Sequence, residues 1–310
     1  MRATNPTRRF HAAMLFSVVA SLSFGVNAAD APVTPSAAPV PAAVAIPRPP
    51  PSEVAQVNES LKKFLAQTDP ATKAILDKYP ELLAVQVPRA NTAIMPALNP
   101  GFRTKHNNNV ELAKKGDIDL LFMGDSITDF WRTAGRGGVT NPPLAGKAVF
   151  EKYYGGMKVA NFGIAGDTTQ GVLFRLQDGE GQGFKPKAIM LMIGTNNTGG
   201  RNSPPEIAEG VGAVVLEMRK DFPDAKILLL AIFPRGNPGD PARTAIAEIN
   251  GKISKLDDGK NVFYLDIGAK FLNAGGSITA DIMSDRLHPT EHGYEIWAEA
   301  VKEPLAKLLN

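Results

Sequence analysis

A serine, an aspartate and a histidine of this sequence have the types and the spacing that nucleophilic catalysis needs. Ser126 follows the apolar stretch "LLFMGD", and Asp285 precedes His288 by three residues in "SDRLHPTEHGY". A serine hydroxyl is a weak nucleophile until a base takes its proton, and His288 has a carboxylate close by in sequence. In a tight turn Asp285 would accept the ring Nδ1–H of His288, leaving Nε2 to face Ser126. These residues predict acyl transfer through a serine nucleophile.

Two further stretches could supply hydrogen-bond donors to the oxyanion that forms when an ester carbonyl is attacked. They are "GIAGDTT", which contains Gly166, and "GTNNTGG", which contains Asn196. We expect the backbone N–H groups of Ser126 and Gly166 and the side-chain amide of Asn196 to form an oxyanion hole. Asp125 and Asp167 adjoin two of these residues, and we expect them to support the site.

Each of these stretches also has an ordinary structural interpretation. Gly-Asp-Ser after a strand is commonly a turn and a helix cap, Gly-Thr-Asn-Asn a turn, and Asp-Arg-Leu-His a surface loop. Asp266 and Asp281 are alternative acids for orienting the histidine, although their distance from His288 is not fixed locally. His292 lies in the last predicted helix and is interpreted as structural, and His106 lies in the polar stretch "RTKHNNN" with no acid near it in sequence.

Predicted strands and helices, which must position these residues, alternate along the last two thirds of the chain. Apolar runs without alternation are typical of strands buried on both faces of a parallel sheet, and amphipathic segments separate them. The pattern predicts an α/β fold, a three-layer, doubly wound sandwich with a five-stranded parallel sheet, whose ligands bind beyond the carboxyl ends of the strands. The runs are "IDLLFM", "KVANF", "KAIMLMI", "AKILLLAIF" and "NVFYLDI".

The first third of the chain has a different organisation. Residues 1–28 have a basic start, an apolar stretch and the small residues Val26 and Ala28, a pattern that predicts a signal peptide cleaved after Ala28 or Ala29. An uncleaved anchor is the alternative, but the apolar stretch is shorter than a membrane span. We interpret 29–51 as a Pro/Ala-rich linker, 52–105 as an N-terminal helical extension and 106–310 as the catalytic domain. The mature protein is expected to be exported, periplasmic or secreted, with no transmembrane segment.

Composition argues against several other classes of protein. Without the three arginines of the leader, the chain carries 31 basic and 31 acidic residues and no basic run, so nucleic acid is not an expected partner. The absence of cysteine excludes disulfides and a thiol nucleophile. Thr128 breaks the G-x-S-x-G pattern of α/β-hydrolases, and no metal-site or dinucleotide-binding pattern is present. We therefore expect neither a metal nor a cofactor.

The combination of motifs resembles the SGNH, or GDSL-type, hydrolases, whose four namesake residues would be Ser126, Gly166, Asn196 and His288. The stretches "NFGIAGDTTQGVLFRLQDGE", "KPKAIMLMIGTNN", "IFPRG" and "DRLHPTEHGY" are similar to the catalytic subunits of intracellular platelet-activating-factor acetylhydrolase and their bacterial relatives. The resemblance covers about 117–310. It implies a flavodoxin-like sheet, no cofactor and hydrolysis of short-chain, chiefly acetyl, esters through an acyl-serine intermediate. Ile127 and Ala165 depart from the leucine and glycine usual in these relatives.

These observations together predict an exported serine esterase. We expect a small-molecule or glycan ester as substrate, because a secreted enzyme does not meet the cytosolic substrates of its intracellular relatives. An acyltransferase with the same triad and a non-catalytic glycan- or wall-binding module that keeps the fold are the alternatives. The alcohol half of the ester and the oligomeric state, a homodimer included, stay open.

Overall fold

The computed structural model describes residues 36–79, 84–85, 89–135 and 141–310. Within these residues, five parallel strands form one sheet with the order β2-β1-β3-β4-β5, which confirms the predicted α/β fold. Each predicted apolar run contains one strand. The strands are β1 (Leu120–Gly124), β2 (Val159–Asn161), β3 (Ala188–Met192), β4 (Lys226–Leu230) and β5 (Val262–Leu265).

The burial of the strands follows their order in the sheet. All residues of β1 and β3 are buried, and four of the five in β4 are buried, because helices cover both faces of the central strands. The edge strand β5 is only partly buried beyond its first residue. β1 pairs with β2 on one side and β3 on the other, so the carboxyl ends of these three strands meet at one edge.

Helices lie on both faces of the sheet, and each face has its own apolar core. One core contains side chains of α3, α6, α7 and α8, and the other contains side chains of α4, α5 and α9. Helix α7 begins at a capping box formed by Ser203 and Glu206. The helices are α1 (Pro51–Ala66), α2 (Pro70–Leu76), α3 (Arg103–Lys115), α4 (Ser126–Asp129), α5 (Lys147–Tyr154), α6 (Thr169–Arg175), α7 (Pro204–Asp221), α8 (Pro241–Ile253) and α9 (Glu291–Leu309).

The described part of the predicted Pro/Ala-rich linker, residues 36–48, packs against the core on the α7 face. Ala38 and Val44 are 7% and 5% exposed and belong to the core on the α7 face. Arg48 donates to both carboxylate oxygens of Glu209 in α7, at 2.7 and 2.6 Å. Proline excludes regular structure from this segment, but it does not prevent apolar side chains from packing against a neighbouring helix.

The proposed division at residue 105 falls inside a helix. Helix α3 begins at Arg103 and continues to Lys115, so it crosses from the predicted extension into the predicted domain. The two helices expected in the extension are present as α1 and α2. Of the described helices, none has both the length and the apolar character that crossing a membrane requires. The predicted signal peptide, 1–28, lies outside the described residues.

Candidate active site

The structure brings Ser126, His288 and Asp285 together as a hydrogen-bonded chain. Ser126 Oγ lies 2.8 Å from His288 Nε2, and His288 Nδ1 lies 2.7 Å from Asp285 Oδ2. The serine is the first residue of α4, separated from the end of β1 by one residue, and the other two precede α9. A base within hydrogen-bond distance of a hydroxyl, itself oriented by a carboxylate, is the arrangement that activates a serine.

The turn from Asp285 to His288 holds the acid and the base in place. Asp285 Oδ1 accepts the backbone N–H groups of Leu287 and His288, at 2.9 and 2.8 Å. Arg286 has a φ of 58°, a left-handed conformation that costs a non-glycine residue free energy. Burial alone would raise the pKa of Asp285, but hydrogen bonds from the side chain and backbone of His288 hold that pKa below its ordinary value. Asp285 is therefore an anion at neutral pH.

Asp125, rather than Ser126, caps the helix that follows β1. Asp125 Oδ1 accepts the backbone N–H of Ile127 at 3.0 Å, which leaves the hydroxyl of Ser126 free to face His288. Asp125 is 1% exposed, and its Oδ2 atom has no hydrogen-bond partner among the described residues. Burial raises the pKa of Asp125 to about 7, although the Ile127 hydrogen bond opposes this shift.

Gly166 and Asn196, the predicted oxyanion-hole residues that follow β2 and β3, are connected through one loop. Gly166 is exposed and has a φ of 88°, a conformation that favours glycine. Asn196 Nδ2 donates to the backbone oxygen of Asp167 at 2.7 Å. An amide nitrogen carries two hydrogens, so the second hydrogen of Asn196 can point to a bound oxyanion. The loop between β2 and α6, residues 162–168, carries Gly166, and we call it the oxyanion loop. It thus also fixes the orientation of the Asn196 side chain.

A buried set of charged residues lies behind this loop. Arg175, which is fully buried, donates to Asp167 at 2.8 Å, to the backbone oxygen of Phe162 at 3.0 Å, and to Glu180. Burial raises the pKa of Asp167, and the Arg175 guanidinium opposes that shift. These contacts fix the side chain that follows Gly166 in the chain. Asp167 therefore connects the oxyanion loop to the buried Arg175, and its backbone oxygen accepts the Asn196 side chain.

His106 belongs to the same buried set, and its acidic partners are distant in sequence. Its Nδ1 lies 2.9 Å from Glu180 and its Nε2 lies 3.0 Å from Asp178, acids that are more than 70 residues away in sequence. The hydrogen bond with Glu180 raises the pKa of His106 against the opposing effect of burial. His106 connects α3 to the loop behind the site and does not contact Ser126.

Asp129 joins the nucleophile helix to the oxyanion loop. Its Oδ2 accepts the backbone N–H of Ala165 at 3.0 Å, and its two oxygens also accept Arg132 and Lys105. Both cations lower the pKa of Asp129 below its ordinary value, against a raising effect of burial that is the largest single influence. The motifs alone did not indicate a role for Asp129. The available signal was its position, because a carboxylate three residues after Ser126 lies in a segment that must be buried and therefore needs partners.

The rival candidates lie apart from the triad. Asp266 accepts the backbone N–H of Gly268 at 2.8 Å, and Asp281 pairs with His292 at 3.3 Å. Trp131, which follows α4 in the chain, is fully buried in the core with Trp297 and does not line the site. No group of three or more His, Asp or Glu side chains among the described residues is arranged to hold a metal ion.

Comparison with known proteins identifies the family of this chain. Residues 122–296 match the GDSL-like lipase/acylhydrolase family, a region that contains all three triad residues. The chain belongs to this family. It is 33% identical over 207 residues to platelet-activating factor acetylhydrolase IB subunit alpha2 of Rattus norvegicus, covering 66% of this chain and 84% of the relative. Identity to the alpha1 subunit of Homo sapiens is 27% over 205 residues, covering 66% of this chain and 82% of the relative.

A solved structure shares the fold of this GDSL hydrolase. A GDSL-like lipase from Bacteroides thetaiotaomicron superposes with a TM-score of 0.51 at 19% identity, covering 66% of this chain and 97% of that chain. Family membership makes the protein an acylhydrolase that acts on esters. The family match begins inside β1, so α1, α2 and α3 lie outside the matched residues.

Proposed function

We propose that this GDSL hydrolase is an exported serine acetylesterase that acts on acetylated glycans through an acyl-serine intermediate. The observation that carries the esterase part is the hydrogen-bonded chain from Ser126 Oγ through His288 to Asp285. The two distances, 2.8 and 2.7 Å, are those of a base ready to take the serine proton.

The proposed reaction has two halves. Ser126 Oγ attacks the ester carbonyl while His288 Nε2 takes its proton, and the oxyanion is stabilised by the N–H groups of Ser126 and Gly166 and the amide of Asn196. The tetrahedral intermediate then expels the alcohol, which receives the proton from His288. Water attacks the acyl-serine with His288 again as the base, releasing the acid and restoring Ser126. Asp285 stays ionised and stabilises the imidazolium in both halves.

The acetyl preference is supported by the relatives, two of whose names are those of acetylhydrolases. The departures from those relatives do not remove a donor from the proposed site. The side chain of Ile127 is 1% exposed and packs in the core on the α9 face, so this substitution changes the core. Ala165 is partly buried, and its backbone N–H is held by Asp129.

The glycan part of the proposal rests on the leader. Residues 1–28 have the pattern of a signal peptide, and a protein outside the cytoplasm meets acetylated glycans more readily than the substrates of intracellular relatives. Fractionation of cells that produce the full chain tests export directly. We expect activity outside the cytoplasm and an N-terminus at residue 29 or 30. Cytoplasmic protein that keeps its leader would contradict this part.

Release of acetate separates the remaining parts of the proposal. The mature chain is assayed on p-nitrophenyl acetate, butyrate and octanoate and on acetylated xylan. We expect turnover to fall with acyl length and acetate to be released from the glycan. Rising activity toward octanoate would contradict the acetyl preference. An acetylated sugar acceptor formed faster than free acetate would identify an acyltransferase, and binding without Ser126-dependent turnover would identify a binding module.

A further inference from the structure

The segment that precedes α3 lies across the oxyanion loop. Ala93 accepts a hydrogen bond from Thr169 Oγ1 at 2.8 Å through its backbone oxygen, and Ala97 N donates to the backbone oxygen of Gln170 at 3.0 Å. Thr169 and Gln170 form the first turn of α6, directly after the loop that carries Gly166. We call residues 89–102 the strap. It is outside the residues that match the family, so the family motifs do not determine what it does.

The strap places an aromatic ring next to the proposed oxyanion-hole glycine. A Cβ atom at Gly166 would lie 3.3 Å from Phe102 Cζ and 3.9 Å from Phe102 Cε1. Both residues keep solvent exposure: Gly166 is exposed and Phe102 is partly exposed. An ester whose carbonyl oxygen accepts the N–H of Gly166 would therefore have the edge of the Phe102 ring beside it.

The position of Phe102 is fixed from both sides along the chain. Its backbone N–H donates to the backbone oxygen of Asn99 at 2.9 Å, in a turn that also places Gly101 N on the Asn99 side chain. α3 starts at the next residue, and the fully buried His106 anchors that helix to Glu180. A residue whose backbone is held between a closed turn and an anchored helix loses little backbone freedom when a ligand contacts it.

The cations near Phe102 are paired with carboxylates, which makes this surface less favourable for an anionic ligand. Arg103 donates to Asp178 at 2.9 Å and lies 5.3 Å from the centre of the Phe174 ring, and Lys105 pairs with Asp129. Both cations in the first turn of α3 are thus already paired with carboxylates. A phosphate-bearing alcohol would have to compete with these carboxylates, whereas an uncharged alcohol would not.

We infer that Phe102 is a specificity-determining residue that contacts the alcohol half of the ester and favours an uncharged sugar ring. The proposal rests on the glycan esterase function proposed above. His288 gives its proton to the alcohol, which then departs toward solvent. The partly exposed ring of Phe102 in the strap can contact the alcohol there. An aromatic ring offers an apolar surface to the C–H face of a pyranose.

The test compares a sugar ester with an ester whose alcohol is too small to reach the ring. The substrates are fully acetylated methyl glucopyranoside and ethyl acetate, followed by titration of released acid. The variants are Phe102→Ala, Phe102→Leu, which keeps an apolar side chain against Gly166, and Phe102→Tyr, which keeps the ring. Phe64→Ala is the matched control, because Phe64 lies in α1 with 65% of its surface exposed.

We expect Phe102→Ala and Phe102→Leu to raise KM for the sugar ester about threefold to tenfold, the value of one aromatic contact, with a smaller effect on ethyl acetate. Phe102→Tyr should keep a KM close to that of the wild type, and Phe64→Ala should have the same KM as the wild type. If Phe102→Leu kept the wild-type KM, the ring would serve only to pack on Gly166 and the inference would be overturned.

Equilibrium binding separates this inference from the proposed function. In the Ser126→Ala background, the dissociation constant for the same sugar ester is measured by NMR titration with and without Phe102→Leu. Weaker binding in the double variant supports the contact. Equal binding overturns the contact alone and leaves the glycan esterase in place. Hydrolysis of ethyl acetate with neither turnover nor binding of the sugar ester overturns both the contact and the glycan substrate, and leaves an acetylesterase.

Discussion

At the residue scale, Asp125 caps α4 and Ser126 faces His288, so two residues of the Gly-Asp-Ser turn have separate tasks. The motif alone did not decide whether Ser126 is a nucleophile or a cap, because both interpretations place a hydroxyl at the start of a helix. The geometry favours the nucleophile interpretation, because Asp125 accepts the N–H of Ile127 and Ser126 contacts His288. The local spacing of Asp285 and His288 made this pair predictable, because a three-residue turn fixes their distance.

Loss of the Asn196 amide tests the oxyanion hole. We expect Asn196→Ala to lower kcat by about 100- to 1,000-fold, equivalent to about 3 to 4 kcal/mol, because the oxyanion would lose a preorganised donor. Steady-state kinetics on p-nitrophenyl acetate measure the effect, with the urea midpoint as a check on folding. A loss smaller than about threefold in a folded variant would remove Asn196 from the site.

The buried carboxyl of Asp125 should make stability depend on pH. Its folded-state pKa of about 7 exceeds the ordinary value of 3.8, so the native state binds a proton that the unfolded chain does not bind between these two values. Stability contributed by this proton is present at low pH and is lost as pH rises toward 7. Relative to Asp125→Asn, the wild type should lose about 2 kcal/mol of unfolding free energy between pH 5 and pH 7.

Urea unfolding of both proteins at pH 5, 6 and 7 measures this difference. Comparing the wild type with the variant removes the contribution of His106 and of other groups that titrate in both. A difference in unfolding free energy that stays constant over this range would show that Asp125 is ionised throughout.

At the element scale, the parallel strands explain how residues from distant stretches form one site. The carboxyl ends of β1, β2 and β3 carry Ser126, Gly166 and Asn196, as the apolar runs predicted. What the pattern did not predict are contacts between side chains far apart in sequence. His106 and Glu180 are one example, since polarity along α3 indicates a solvated helix unless the partner loop is known.

Helix α6 must approach the oxyanion loop closely, and Gly171 permits this approach. A Cβ atom at Gly171 would lie 1.8 Å from Asp167 Oδ1, and Arg175 holds that carboxylate in place. We expect Gly171→Ala to displace the loop and lower kcat for p-nitrophenyl acetate by at least about tenfold, because small shifts of an oxyanion donor are costly.

Gly251 in α8 provides the matched control, because a Cβ atom there would meet no atom within 4 Å. Gly251→Ala should stabilise the protein by about 0.5 to 1 kcal/mol through helix propensity, with unchanged kcat. Equal kinetic effects of the two substitutions would mean that Asp167 does not position the loop.

At the scale of the whole molecule, the N-terminal residues that the structure describes are part of the packed protein. Glu209 of α7, whose side chain is 1% exposed, accepts Arg48, Ile46 N and Asn91, and so connects the proline-rich segment and the strap to one helix. Composition could not predict this packing, because proline content limits backbone conformation without specifying what the intervening Val44 contacts. Gly212 allows Val44 to approach α7 closely, since a Cβ atom at this position would lie 2.6 Å from Val44 Cγ2.

Removing Arg48 tests this attachment. We expect Arg48→Ala to lower the free energy of unfolding by about 1 to 3 kcal/mol, because it leaves the Glu209 carboxylate buried without its cation. Lys63→Ala is the control, since Lys63 and its partner Glu59 are exposed and 3.8 Å apart, and its effect should stay within about 0.5 kcal/mol. Urea denaturation measures both, and equal effects would argue against a stabilising role of the 36–48 segment.

The most direct test of the central claim is hydrolysis of p-nitrophenyl acetate by the mature chain beside Ser126→Ala. Ser60→Ala, an exposed serine in α1, serves as the control for substitution. We expect turnover by the wild type and the control, and a loss of at least about a thousandfold in kcat for Ser126→Ala, since the nucleophile would be gone. Turnover that persists in a folded Ser126→Ala protein would contradict the assignment of Ser126 as the nucleophile.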